Sequence, residues 1–449
     1  MEKVQIPTNI YIPEYISLGI TANELRISKC LPTGQSFSWY SIADGTFVGI
    51  LGHRIFQMKE LPNDTLYRCL YTACSNDNSN QYIQIKKRKM STYEGSSTAD
   101  VSPTNEVKYI KIKDSTDIYI SDISNNQVSL IDGNISYYSD FNSINSPVEN
   151  STDNNQTQKS CNNYSNFNSV FYCCNSTPQQ HIEHYFNLKF DWEKEYKNCH
   201  LYSEKSNKRI TNYSLSNTYS IWSKSDKSIL SCPIGIRMFN IDPVEATFSA
   251  IITANNNIPR ITSIIERIRI SYGTYICSID HNKLLEETNN LNFCNNKIPN
   301  IRHYYSFPTC DEIFKNASIE HLKSHCGTGY RAKSIITSAK IIHDIGEFKY
   351  FNYLKSLEYH DAVSELLKLH GVGRKVADFI LLSGLGFTQA VPIDTHMLKI
   401  LKRYNHKFQN TSSLSKLCYE EASRYFREKF KLAPGWAQLV LFSNSIIKK

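Results

Sequence analysis

A glycine hairpin, one lysine and one aspartate, all within a single stretch, carry most of the chemistry legible in this chain of 449 residues. In LLKLHGVGRKVADFILLSGLGFTQAVPIDTH, Leu366 to His396, Gly371 and Gly373 bracket a turn, Lys375 opens the next segment and Asp394 follows nineteen positions later. Glycine removes the Cβ that would hold a phosphate away from backbone amides, and the first turn of a helix adds unpaired N–H groups and a positive end. A GVG turn alone is a poor signal, because glycines also merely join packed helices. Between two apolar helices and followed by Lys375, it predicts an anchor for a DNA backbone. An amine beside those amides and partly desolvated loses proton affinity, which frees its lone pair for attack on a sugar carbon. Any basic helix start would equally supply a phosphate-contacting lysine. Asp394 precedes an apolar periodic run, where a carboxylate caps a helix. The same carboxylate can stabilise positive charge on a sugar and manage the amine's protons. His396 fits a phosphate contact and a structural histidine equally well.

The elements that must position these groups are mostly helical. Apolar periodicity predicts helices at Tyr359 to Leu369, Val376 to Leu385, Thr395 to Arg403, Ser413 to Lys429 and Gly435 to Ser443. Upstream, Asp242-Pro243-Val244-Glu245 reads as a helix start, Ile261, Ile264, Ile265 and Ile268 line one side of a second helix, and two more fit Ala317 to Ser324 and Arg331 to Asp344. From about Thr21 to Ile85, short alternating runs such as FVGILGHRIFQMK predict antiparallel strands. The expected class is therefore α+β. Residues 1–89 form the first part of an antiparallel β domain, and 90–182 an insertion. Within 141–180, Asn, Ser, Thr and Gln dominate, too polar a mixture to offset the entropy of ordering. The run YIKIKDSTDIYISDISNNQVSLIDG adds one or two strands to that insertion. Residues 183–240 form a linker and the end of the β domain, and 241–449 the helical domains, with a helix-hairpin-helix at about 361–385.

Composition adds bounds rather than answers. Lys+Arg 50 against Asp+Glu 42 gives a formal charge of +8, a weak bias toward a polyanionic partner that gains force only beside a motif. The 13 cysteines are scattered without tight pairing, which points to reduced thiols, and the adjacent Cys173 and Cys174 have too few neighbouring ligands for a zinc site. No apolar run is long enough to cross a bilayer, so no membrane partner is expected. The start, MEKVQIPTNIYIPEY, is unlike a mitochondrial presequence, and the basic cluster Lys86 to Lys89 could serve nuclear import or be a solvated loop.

Four ordered stretches add a resemblance: LPTGQSFSW at Leu31 to Trp39, TANNNIPRIT at Thr253 to Thr262, GTGYRAK at Gly327 to Lys333, and GVGRKVAD running on through VPIDTH and GWAQLVLFS. Together they resemble the helix-hairpin-helix DNA glycosylase superfamily, and within it the eukaryotic 8-oxoguanine DNA glycosylase/AP lyases. The resemblance implies a strand-rich, TBP-like N-terminal domain beside all-helical glycosylase domains whose cleft holds an extruded base. It implies that Lys375 forms a Schiff base with Asp394 as its carboxylate partner, and that the backbone carbonyl of Gly34 senses the extra ring hydrogen of 8-oxoguanine. By the same likeness Gln438 reads the pairing edge of the base and Phe442 stacks on its face. Asn255 fills the gap left in the duplex, while Arg260, Tyr330 and Arg331 contact or wedge beside the orphaned cytosine. From the residues alone, Tyr330 also fits a core position and Arg331 a phosphate contact at a helix start. The implied partner is double-stranded DNA carrying oxidised guanine opposite cytosine, bound by a monomer in the nucleus, with the mitochondrion as a second compartment.

The chain departs from the family pattern in its pocket wall. Phe379 stands where cysteine usually follows GVGxKVAD, Ser383 replaces a larger thioether one turn later, and His370 stands where the hairpin often carries proline. The gained ring and the lost volume are expected to compensate on one helical face. Only Cys418 lies beyond Asp394, so no iron-sulfur cluster is expected. No catalytic metal or redox cofactor is called for, and hairpin carbonyls could hold a structural cation. Two other readings share these residues: a monofunctional glycosylase for alkylated bases that uses Asp394 to activate water, and a non-catalytic helix-hairpin-helix DNA-binding module.

Overall fold

The computed structural model describes residues 12–72, 128–131, 134–137, 176–199, 213–289, 300–404, 408–409, 411 and 415–447. Contacts divide the chain into two units, Met1–Glu14 with Asp77–Gln156 and Tyr15–Asn76 with Thr157–Lys449. The second unit contains every candidate site residue. In the first, the described hairpin pairs β6 (Val128–Ile131), inside the alternating run that predicted strands, with β7 (Asn134–Tyr137), which begins just past its end. The rest of the polar insertion up to Asn175 and the cluster at 86–89 lie outside the described residues.

In the second unit, β1 (Ile16–Ser17), β2 (Trp39–Ala43), β3 (Thr46–Leu51), β4 (Arg54–Glu60) and β5 (Thr65–Thr72) form an antiparallel sheet in the order β1-β5-β4-β3-β2. An Asp44-Gly45 turn with Gly45 at φ +63° joins β2 to β3, as an Asp-Gly pair between apolar runs should. Gly49 in β3 is required by packing, since a Cβ there would lie 2.2 Å from the ring of Trp39. That ring is fixed in turn by Tyr185, whose hydroxyl oxygen accepts the Trp39 Nε1–H bond at 3.1 Å. Before β2, a single helical turn α1 (Ile27–Cys30) runs into a 3-10 turn, Leu31–Thr33, that ends at Gly34.

Helical structure begins earlier than composition suggested. α2 (Pro178–Tyr185) starts inside the range assigned to the insertion, driven by a Thr177/Gln180 capping box and Pro178 in its first turn. The stretch read as a linker carries α3 (Trp192–Asn198) and α4 (Leu215–Ser225). Their aromatic faces are buried, and the Trp222 indole N–H donates to the Leu432 carbonyl at 2.7 Å. Polar residues between those rings masked a helical repeat that the core satisfies.

Beyond these, α5 (Pro243–Thr253) is capped by Asp242, whose Oδ1 accepts the Val244 and Glu245 N–H groups, each at 2.9 Å. In α6 (Ile258–Tyr272) the expected apolar side, Ile261, Ile264, Ile265 and Ile268, is buried. Among its described residues the helical half contains one sheet element, an antiparallel pairing of β8 (Tyr275–Asp280) with β9 (Ile301–Tyr305), and α7 (His281–Asn289) follows β8 directly. Then come α8 (Cys310–Asn316), α9 (Ile319–Ser324), α10 (Ala332–Ile345), α11 (Glu347–Ser356), α12 (Tyr359–Leu366) and α13 (Arg374–Phe379). The last is extended by a π turn, Ile380–Gly384. α14 (Thr395–Tyr404), α15 (Lys416–Lys429) and α16 (Pro434–Ile447) complete the bundle. No helix among the described residues is long and apolar enough to cross a membrane.

Candidate active site

The helix-hairpin-helix is α12, the turn through Gly371 and Gly373, and α13. Leu366, Leu369, Val372 and Val376 are buried and clamp the two helices into one core. Gly371 has φ +80°, and a Cβ on it would lie 2.5 Å from Ser334 Oγ of α10. The same face of α10 holds the turn from outside, with Ser338 Oγ donating to the His370 carbonyl at 2.9 Å and Ser334 Oγ 2.9 Å from His370 Nδ1. The proline's usual place is thus filled by a histidine tied to its neighbour. Gly373 is the N-cap of α13 without a side-chain cap, and nothing lies within 4 Å of where its Cβ would be. Nothing beside the Gly373 Cα therefore bars a phosphate from approaching the start of α13.

Lys375 emerges from that first turn and is half-buried. Burial pushes its amine below the ordinary lysine range, and the negative charge of Asp394 partly opposes the shift. Among the described residues its amine makes no hydrogen bond or ion pair. Asp394 caps α14, its Oδ1 accepting the Met397 N–H at 2.8 Å while its carbonyl accepts from Leu398 at 2.8 Å. Cap and charge partner coexist in one carboxylate. Two residues after Asp394, in the first turn of α14, the half-buried His396 ring meets Phe442 edge-on, with centroids 6.1 Å apart. Phe442 and Gln438 are i and i+4 partners on α16 and so share a face. Gln438 is 5% exposed, and no hydrogen bond reaches its amide among the described residues.

The turn ending at Gly34 packs against α16, and Gly34 itself takes φ +76°. Its missing Cβ would sit 3.1 Å from Ile258 Cδ1 at the start of α6. Gly34 thus lies beside both α16 and the start of α6. Phe379, half-buried, ends α13 four residues after Lys375 and so projects from the same face. Ser383 belongs to the π turn, is buried, and accepts the Ile241 N–H on its carbonyl at 2.7 Å.

The opposite-base residues separate into two environments. Asn255 is exposed with φ +49°, Arg260 is exposed in the first turn of α6, and Tyr330 is 68% exposed, which rules out the core reading for the tyrosine. Arg331 departs from expectation. It is 5% exposed, and its guanidinium donates to the carbonyls of Ala254 (Nε, 3.0 Å), Asn255 (3.1 Å) and Thr328 (3.3 Å). These bonds tie its guanidinium to the strained Asn255 turn. A strained backbone of this kind persists only when its surroundings over-determine it.

Sequence reasoning missed Asp378, fully buried three residues after Lys375. Burial raises its carboxyl to about 6, while the bond from Tyr419, the Arg374 charge and the bond from Tyr359 act the other way. The signal was present: an acid inside the apolar run VADFILL is rarely buried without partners.

With this geometry in place, a family model for the N-terminal domain of 8-oxoguanine DNA glycosylase matches residues 17–247. The chain belongs to the 8-oxoguanine DNA glycosylase family. An N-glycosylase/DNA lyase of Saccharomyces cerevisiae is 33% identical over 251 residues, covering 50% of this chain and 61% of the relative. The N-glycosylase/DNA lyase OGG1 of Arabidopsis thaliana is 29% identical over 210 residues, 46% of this chain and 51% of the relative. The chain thus aligns with between half and two thirds of the length of these two family members. The fold is that of a Clostridium acetobutylicum 8-oxoguanine glycosylase/lyase solved with double-stranded DNA containing cytosine opposite 8-oxoG. That likeness has a TM-score of 0.52 at 19% identity and covers 97% of this chain and 99% of the solved one.

Proposed function

We propose that the protein is a bifunctional DNA glycosylase/AP lyase that removes 8-oxoguanine opposite cytosine from duplex DNA through a lysine Schiff base, as a step of base-excision repair. The observation that carries the reading is the Lys375 amine: buried enough to lose proton affinity, unpaired, and within the field of the Asp394 carboxylate. Family membership and the N-glycosylase/DNA lyase relatives support the reaction class.

In this reading the hairpin at Gly371 and Gly373 binds the backbone and the damaged nucleotide swings out, at a cost of a few kcal/mol of unstacking. Exposed Asn255 and Tyr330 occupy and flank the vacancy, and Arg260 reads the orphaned cytosine. The Gly34 carbonyl accepts the N7–H that 8-oxoguanine has and guanine lacks. A missing partner there costs about 1–3 kcal/mol, a workable discriminator. Gln438 bonds the pairing edge and Phe442 and Phe379 flank the base. The neutral Nζ of Lys375 forms a bond to C1′ as the N-glycosidic bond breaks, its electron pair leaving with the purine. Asp394 stabilises the positive charge on the sugar and passes the proton lost by the new aminium toward the departing base. Ring opening gives the imine, loss of a C2′ proton expels the 3′ phosphate, and water releases the lysine. The scheme calls on no redox cofactor, catalytic metal or iron-sulfur cluster. A cation at the hairpin carbonyls would be structural. A duplex-DNA substrate supports a nuclear location, with the mitochondrion as a second compartment, and action as a monomer.

Borohydride should trap a covalent complex on an 8-oxoguanine:cytosine duplex, and Lys375→Gln should abolish trapping while DNA binding persists. Base release at the wild-type rate in that variant refutes the lysine role. Release without trapping in the wild type points to water activated by Asp394, and binding without release to a non-catalytic module.

A further inference from the structure

We propose that Tyr419 and Asp378 form a strut that sets the separation of Lys375 from Asp394, making Tyr419 a positioning residue; the inference rests on the reading of Lys375 as nucleophile. Lys375 is fixed on α13, but Asp394 arrives through the irregular segment 385–393, whose local structure does not by itself dictate where the carboxylate lands. Asp378, on the same short helix as Lys375, is fully buried and extends both oxygens to phenols. Oδ1 accepts from Tyr359 at 2.7 Å and Oδ2 from Tyr419 at 2.5 Å. With its proton committed to Asp378, the Tyr419 oxygen accepts the N–H of Ile393, the residue before Asp394, at 3.3 Å. The Val391 carbonyl, 3.3 Å away, is the competing acceptor for the same proton. Two hydrogen bonds therefore connect the helix of the amine to the backbone of the carboxylate, through a ring anchored on α15.

The second phenol separates this role from ordinary core packing. Tyr359 satisfies the other Asp378 oxygen and receives Arg427 at 3.2 Å and Arg374 at 3.4 Å, but it belongs to α12 and, among the described residues, makes no bond to the Asp394 segment. Loss of either hydroxyl leaves one carboxylate oxygen unpaired. Only loss of Tyr419's releases Ile393. Misplacement of a reacting group by about 1 Å can cost on the order of 100-fold in rate.

The test is single-turnover borohydride trapping with the full chain on an 8-oxoguanine:cytosine duplex, alongside melting temperature and duplex affinity. Tyr419→Phe should slow trapping by about 10- to 100-fold at unchanged affinity. Tyr359→Phe should trap within about twofold of the wild type despite a comparable loss of melting temperature. Equal slowing by both variants, or wild-type trapping by Tyr419→Phe, overturns the strut. Should Tyr419→Phe lack a cooperative melt, Asp378→Asn replaces it, weakening the bonds to both phenols with an isosteric group, with Tyr359→Phe as the control for the bond outside the strut. Slower trapping at unchanged affinity supports the strut, and wild-type trapping overturns it. Trapping by the wild type and its loss in Lys375→Gln are read first, so failure of the underlying reaction is told apart from failure of the strut.

Discussion

Alanine placed at Gly371 and at Gly373, two residues apart in one hairpin, should produce opposite phenotypes. At Gly371 the methyl group meets two obstacles: a φ of +80°, and Ser334, whose Oγ and Cβ would be 2.5 and 2.6 Å away. The left-handed backbone costs an L-residue about 1–2 kcal/mol. Overpacking against a helix fixed in the core adds about 1–3 kcal/mol. The sum, roughly 2–5 kcal/mol, corresponds to a fall of order 2–5 °C in melting temperature for a chain of this size. Gly373 has φ −97° and open space beyond its Cα, so Gly373→Ala should melt like the wild type. There the new methyl stands where a phosphate must approach. Hydrogen bonds to a charged group contribute about 1.5–3 kcal/mol, so duplex affinity should drop by about tenfold or more. Differential scanning calorimetry and fluorescence anisotropy at fixed salt measure the two effects. Adding Ser334→Gly to Gly371→Ala removes the clash but not the backbone cost, and should recover about half the loss. Wild-type affinity in Gly373→Ala would refute the hairpin as the DNA anchor, and wild-type melting in Gly371→Ala would refute the steric argument.

Three further outcomes follow from the site. Asp394 favours the ammonium form of Lys375, so Asp394→Asn should move the acidic limb of the trapping rate to lower pH while lowering its plateau; an unmoved limb, or one shifted upward, counts against the pairing. Phe379→Cys should raise turnover without altering lesion preference if the ring crowds the base, and single-turnover excision of 8-oxoguanine and guanine measures both. Arg260→Ala should weaken the preference for cytosine. Arg331→Ala should instead lower melting temperature by about 1–3 kcal/mol equivalent, because the carbonyls of Ala254 and Asn255 lose their donor, and should slow excision opposite every base alike. Selective loss of cytosine preference in Arg331→Ala would return that residue to base reading.

Much of this organisation was legible because it is local. A glycine pair between apolar runs, a capping carboxylate before α14 and the isoleucine side of α6 are each set by residues within a turn or two, where period and capping chemistry operate. Gly34, Gln438 and Phe442 were found only through the family resemblance, since nothing in their own surroundings separates them from an ordinary turn and an ordinary amphipathic helix. The structure gives them a shared location because the turn before Gly34 packs on α16. Within 183–240, read as a linker and the end of the β domain, individual helices were not placed because they are short and polar between buried rings. Their stability comes from tertiary bonds such as Trp222 to Leu432, which no local window contains.

Arg331 and Asp378 illustrate the limit in opposite directions. The arginine stands in a motif whose pattern presents it to DNA, yet three carbonyls from two segments claim its guanidinium, and that competition depends on how the Asn255 loop folds back. The aspartate is conspicuous in an apolar run, yet its partners come from helices 19 residues upstream and 41 residues downstream. In both cases the residue type announces that a charge must be satisfied, and only the fold says by whom. This matters for function because the two charges hold backbone, the Asn255 turn in one case and the approach to Asp394 in the other. A reaction that needs an amine and a carboxylate at fixed separation, and a side chain poised to fill a vacated stack, is sensitive to those supports as much as to the groups they place.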